Sequence, residues 1–137
     1  MKTTDELFNI LKNESINSYL KNNENELINN PICKYLNMLI DEKNLVKADM
    51  IKKSNIQINY AYQILSGLKF PSRDKLIALC FGAELNIDET QTLLKYSGYA
   101  PLYPRNKRDS IIISSLKSHA SVIDCNILLD EYDLSPI

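Results

Sequence analysis

The chain has no tryptophan, a single histidine, three glycines and five prolines in 137 residues. So few turn-forming residues leave no room for a Gly-rich phosphate loop or a Pro/Gly low-complexity segment. Most of the chain also lacks the apolar/polar alternation of a half-buried strand, so its fold class is read as all-α. Cys33, Cys80 and Cys125 are odd in number and far apart. Without a Cys-x-x-Cys or Cys/His cluster they exclude a disulfide framework and a zinc site, and they read as reduced structural thiols. No apolar run approaches the ~20 residues of a membrane span. The opening "MKTTDELFNI" has no apolar core or cleavage pattern, so no secretory leader is expected and the cytoplasm is the expected compartment. Ser72-Arg73-Asp74-Lys75 matches the Ser-x-x-Lys string of acylating enzymes, but its Ser-Asp-Asn and Lys-Thr-Gly companions are missing. With one histidine and no nucleophile pair, no enzyme, cofactor or metal is expected.

What is present is an ordinary globular composition, 45% hydrophobic and 24% charged, with a net charge of −1. The length suits one domain with short additions. Charge is unevenly spread. Residues 1–30 carry a balance of −2, residues 31–45 are neutral, residues 46–76 reach +4 and residues 77–137 fall to −3. The global balance argues against a non-specific nucleic-acid coat, whereas one internal segment is basic.

Helical spacing of Leu7, Ile10, Leu11, Ile16, Tyr19 and Leu20 predicts a first helix over 4–20, followed by the polar bridge "KNNENELINN". Pro31 opens a second helix with an apolar stripe of Ile32, Tyr35, Leu36, Leu39 and Ile40. A short helix follows over 45–55 with Val46, Met50 and Ile51 inward, ended by Ser54-Asn55. Residues 57–65 form the next, with Ala61, Ile64 and Leu65 on one side, Leu68 beyond them, and Asn59, Tyr62 and Gln63 on the other. Ser66-Gly67 stops it. Ser72 caps a helix whose inner face is Leu76, Leu79, Cys80 and Ala83, and Asp88 caps another that Gly98 closes. The connector "YAPLYPRNKRD" leads to helices over 107–118 and 121–132, the second opened by Ser121 and Asp124 in capping-box spacing. The organisation expected is an N-terminal extension (1–30), a core (31–98) and a C-terminal extension (99–137).

Two short helices joined by a tight turn within a set of five describe a helix-turn-helix domain. The first helix braces against the DNA backbone. The second lies in the major groove, apolar on its inner face and hydrogen-bonding on its outer. Asn59 and Gln63 are four apart and share a face. Asn and Gln are the side chains that pair bidentately with adenine. Lys47, Lys69 and Arg73 are placed to meet phosphates, which set position rather than sequence preference.

Residues 31–97 resemble the Cro/CI-type (XRE, lambda-repressor-like) helix-turn-helix family. The likeness runs through "KADMIKKSNIQINYAYQILSGLKFPSRDKLIALCFGAELNIDETQTLL". Gly67, Lys69, Pro71 and Ser72 stand in the family's order, with Ile87-Asp88-Glu89 opening the fifth helix. The strings "YAYQI", "PSRDK" and "LYPRNKRD" also resemble a bacterial subgroup of XRE-like proteins. The resemblance implies a lambda-repressor-like five-helix core with added helices at both ends. It places base-reading residues at Gln57, Ile58, Asn59 and Gln63, with Tyr62 adjacent, and phosphate contacts at Lys47, Lys69 and near Arg73. Four positions depart from the pattern. Ile51 replaces a small Ala, Asn55 replaces the turn Gly, and Tyr60 and Tyr62 are bulky on the reading helix.

The function expected is therefore a sequence-specific transcriptional regulator bound to double-stranded DNA. The amphipathic additions at the two ends are expected to pack on the core and complete a larger single domain; the alternative is that the C-terminal helices 107–118 and 121–132 form a homodimer interface. The alternative function is a protein-interaction or adaptor module on the same scaffold, which presents Tyr60 and Tyr62 to a protein partner and does not bind DNA.

Overall fold

The computed structural model describes residues 2–23 and 31–137, and among these it contains helices and no strand. The helices are α1 (Thr4–Asn13), α2 (Ile16–Asn22), α3 (Pro31–Glu42), α4 (Lys47–Lys53), α5 (Ile58–Leu65), α6 (Arg73–Gly82), α7 (Ile87–Tyr96), α8 (Lys107–Lys117) and α9 (Val122–Glu131). The fold is all-α, as the missing alternation implied. Residues 24–30 of the expected polar bridge lie outside the described residues.

The helix expected over 4–20 is two helices. Glu14 adopts an extended conformation, and the Ser15 hydroxyl accepts from the Ser18 N–H to start α2. A Ser that can cap a new turn competes with helix continuation, which periodicity alone does not register. α1 opens on a reciprocal capping box between Thr3 and Glu6 but has no buried residue. It packs with α2, whose Tyr19 is buried.

From α3 onward the helices share one apolar core, which runs from Ile32 through Leu36, Ile51, Ile64, Leu79 and Leu93 to Ile112, Cys125 and Leu129. The helices of 99–137 therefore pack on the same core as those of 31–98. At its centre is α6. Every side chain from Leu76 to Ala83 is buried, and the helix meets α4, α7 and α9. The tightest approach is at Gly82. A Cβ built there would lie 1.9 Å from Ser54 Oγ and 2.4 Å from the Met50 carbonyl oxygen. α4 therefore crosses α6 backbone to backbone, and Ile51, where the resembling family carries a small Ala, remains fully buried beside that crossing.

Six of the described helices, α3 and α5 to α9, end by one device. An N–H five residues along bonds back to the last turn: Leu45 to Ile40, Leu68 to Gln63, Leu85 to Cys80, Tyr99 to Leu94, Ala120 to Ser115 and Leu134 to Leu129. The residue before each such N–H has positive φ, and only two of these positions are glycine, Gly67 and Gly98. Asn44, Glu84, His119 and Asp133 fill the others, and Asn55 does the same after α4. One expected cap and one expected inward residue differ. α7 is capped by Asn86 in a reciprocal box with Glu89, not by Asp88, because the cap must precede the helical residues. Val46 is the N-cap of α4 and 61% exposed rather than inward. Leu68 is likewise exposed, carried outward by the turn after α5.

Gly82→Ala tests the α4–α6 crossing. Ala gains about 1 kcal/mol of helix propensity, but overpacking against a backbone carbonyl typically costs about 1–3 kcal/mol. A net loss is expected, read as a lower denaturant midpoint at unchanged slope. A midpoint that stays or rises would refute the close crossing.

Candidate nucleic-acid interface

The local sequence explains why α5 projects. Ala61, Ile64 and Leu65 are buried, which turns the opposite face outward. The helix is held at both ends. At its C-terminus the Leu65 carbonyl, one of the acceptors a helix leaves open, receives Cys33 Sγ at 2.9 Å and Asn37 Nδ2 at 2.9 Å, both from α3. Sequence reasoning had no signal for these two anchors, since neither lies near α5 in the chain. At its N-terminus Gln57 is the cap, and its Oε1 accepts from the Tyr60 N–H at 2.7 Å.

The five residues expected to read bases therefore divide. Asn59 is exposed on the first turn of α5. Ile58 and Tyr62 are exposed beside it, at 61% and 44%. Gln63 is half-buried. Gln57 is exposed, but its side-chain oxygen is occupied by the capping bond. Tyr60 lies partly buried against the core. A groove between α4 and α5 is lined by Ala48, Ile51, Ile56, Ile58 and Tyr62, so the outer surface here is more apolar than the Asn/Gln spacing suggested.

The cations also divide. Lys47 and Lys69 are exposed and make no ion pair among the described residues. Arg73 is different. Its guanidinium makes two bonds to Asp109, at 3.2 and 3.0 Å, and donates to the Ala100 and Pro101 carbonyls. Asp109 is buried and also accepts from the Tyr103 N–H. Arg73 is thus committed inside the fold and is not placed as a free phosphate contact. Its partner lies 36 residues downstream, which local charge counting does not see. A reciprocal pair lies alongside it. Arg108 bonds bidentately to Asp74 at 2.9 and 3.0 Å and to the Ser135 and Pro136 carbonyls. Lys53 meets Glu84 at 3.5 Å in an exposed pair. The cationic surface around α4 and α5 is therefore Lys47, Lys52 and Lys69, a smaller set than the segment's +4 balance.

Other chemistry is sparse among the described residues. No group of three or more His, Cys, Asp or Glu side chains is placed to hold a metal ion. Burial pushes the Cys80 thiol up to about 12, so it stays protonated at neutral pH. No described helix is long and apolar enough to cross a membrane.

Comparison with known proteins yields no match: no family model fits the chain, and no curated protein or solved structure is significantly similar to it.

Substituting Arg73 separates structural from phosphate roles. Arg73→Gln leaves Asp109 buried without its partner and is expected to cost about 2–3 kcal/mol of stability. The salt dependence of any DNA binding should be unchanged. Unaltered stability with a salt slope smaller by about one would reassign Arg73 to a phosphate.

Proposed function

We propose that the protein is a sequence-specific DNA-binding regulator and that α3–α7 form a lambda-repressor-like helix-turn-helix core. The observation that carries it is the placement of Asn59. It stands exposed on the first turn of a helix whose opposite face is wholly buried, with uncommitted Lys47 on the preceding helix and Lys69 just past its end. In this arrangement α5 enters the major groove and α4 braces the backbone. Asn59 pairs with adenine N6 and N7, and Ile58 packs on a thymine methyl. Tyr62 and Gln63 add contacts one turn on. Gln57 contributes through its amide group while its oxygen caps α5. Lys47 and Lys69 neutralise phosphates and set the register. Ile123 and Ile127, four apart and exposed on α9, support pairing of two copies through the C-terminal helices. Such a dimer would set two α5 helices on half-sites about 34–36 Å apart.

A second function is favoured by a separate observation. Ile58, Tyr62, Leu68 and Phe70 are 61%, 44%, 70% and 55% exposed on or just after α5. Exposed apolar and aromatic side chains beside few cations suit a protein partner more than a phosphate backbone. On that basis the scaffold would act as an adaptor.

Retention of genomic fragments by the purified protein at about 100 mM salt, where backbone-only binding is screened, decides between them. A regulator gives a few sharp sites with a shared AT-containing motif. Asn59→Ala should then lose about 1–3 kcal/mol of discrimination at particular base pairs, whereas Lys69→Gln should weaken all sequences and lower the salt slope by about one. A flat profile, with Tyr62→Ala abolishing co-purification of one protein, would establish the adaptor instead.

A further inference from the structure

The apolar side of α1 is left largely uncovered by the rest of the fold. Thr3 and Glu6 close a reciprocal capping box at its start, yet none of its ten residues is buried. A lone helix shorter than about 12–15 residues is marginal in water, and most helical stability in proteins comes from packing an apolar face. α2 supplies part of that packing through its buried Tyr19. A shallow groove between the two helices is lined by Thr4, Leu7, Phe8, Leu11 and Tyr19. Phe8 and Leu11 remain exposed beside it.

The charges along this side specify what fits it. Asp5, Phe8 and Lys12 stand at i, i+3 and i+7, so they follow one another along one edge of α1. All three are exposed. Asp5 and Lys12 lie two turns apart, about 10 Å along the axis, too far to pair with each other. Neither makes an ion pair among the described residues. Glu6, the other acid of the first turn, is engaged by the cap. The edge therefore reads acid, aromatic, base, and its complement reads base, aromatic, acid. An antiparallel second copy of α1 presents that order. A two-fold axis beside Phe8 sets the two Phe8 rings together and brings Asp5 of each copy to Lys12 of the other. A parallel pairing would set like charges at the same level.

We infer that α1 is a self-association face, on which two copies of the chain pair with their α1 helices antiparallel, Phe8 and Leu11 packed between two Asp5–Lys12 ion pairs. Two helices of this length cover less than the ~1,600 Å² of a standard interface, so a dissociation constant of about 10–100 µM is expected. The face is separate from Ile123 and Ile127 on α9, and the pairing does not rest on the function proposed above. With both faces engaged, two isologous contacts on each chain build an assembly larger than a dimer.

The test is sedimentation equilibrium of the full chain carrying Ile127→Glu, at about 50 mM salt, where exposed ion pairs are less screened. Ile127→Glu removes pairing through α9, so the fate of that contact does not enter the result. A monomer–dimer equilibrium in the expected range should appear, and Phe8→Glu should weaken it about ten-fold or more. Asp5→Lys and Lys12→Glu should each weaken it about five-fold, because each sets like charges together twice in the pair. Mixed in equal amounts, these two charge variants should associate about five-fold more tightly than either alone, a recovery that a mere loss of helix in α1 does not give. A chain that stays monomeric up to about 500 µM would overturn the proposal. So would a dimer that Phe8→Glu leaves unchanged, or a mixture no tighter than its components.

Discussion

The fold depends on one helix having no solvent side over most of its length. From Leu76 to Gly82 every residue of α6 is buried, as is its C-cap Ala83, so its neighbours must cover it from all directions. α4 covers it at the Gly82 crossing, with α7 and α9 on other sides. A helix buried all round needs packed neighbours on every side, not on one face alone. This gives the C-terminal helices their structural purpose. They close the core around α6, and in doing so they fix where α4, and through it α5, can lie.

The closure is reinforced by charge. Arg73 and Asp74 are adjacent at the start of α6, and Arg108 and Asp109 are adjacent at the start of α8. Each arginine bonds to the other helix's aspartate, so two reciprocal pairs hold the two helix starts together. The remaining guanidinium donors are satisfied by carbonyls of the connector and the chain end. Such bidentate, partly buried pairs are costly to leave half-made, which favours one docking of α8 over sliding alternatives. The same pairs withdraw Arg73 and Arg108 from the surface. Part of the basic balance of residues 46–76 thus holds the fold together and does not project a field.

Helix termination adds a further constraint on surface chemistry. With three glycines in the chain, the left-handed position after a helix falls mostly to Asn, Asp, Glu and His. Asn and Asp tolerate that conformation through local hydrogen bonding, whereas Glu84 and His119 are held there by the back-bonds of the following Leu85 and Ala120. Polar side chains are thereby gathered at helix ends. Where the ends of α4, α6 and α8 converge, they line a cavity behind the α4–α5 turn.

The sequence by itself determined the all-α class, most helix positions, the inward residues of α5, one inward stripe of α6 (Leu76, Leu79, Cys80 and Ala83) though not the burial of Ile77, Ala78 and Phe81 on its other sides, the caps at Ser72 and Ser121 and the turn at Asn55. All of these follow from spacing and capping within a few residues, where backbone geometry is set locally. It also marked Asn59 and Tyr62 as outward on α5, since one buried stripe defines its opposite. Tertiary structure alone decided which polar residues remain available. Gln57 spends its oxygen on a cap, Arg73 turns to an aspartate 36 residues away, and Cys33 and Asn37 reach the end of α5 from another helix. Those partners are set by how helices distant in sequence cross, and at Gly82 the crossing depends on a missing side chain whose importance only the packed neighbour reveals.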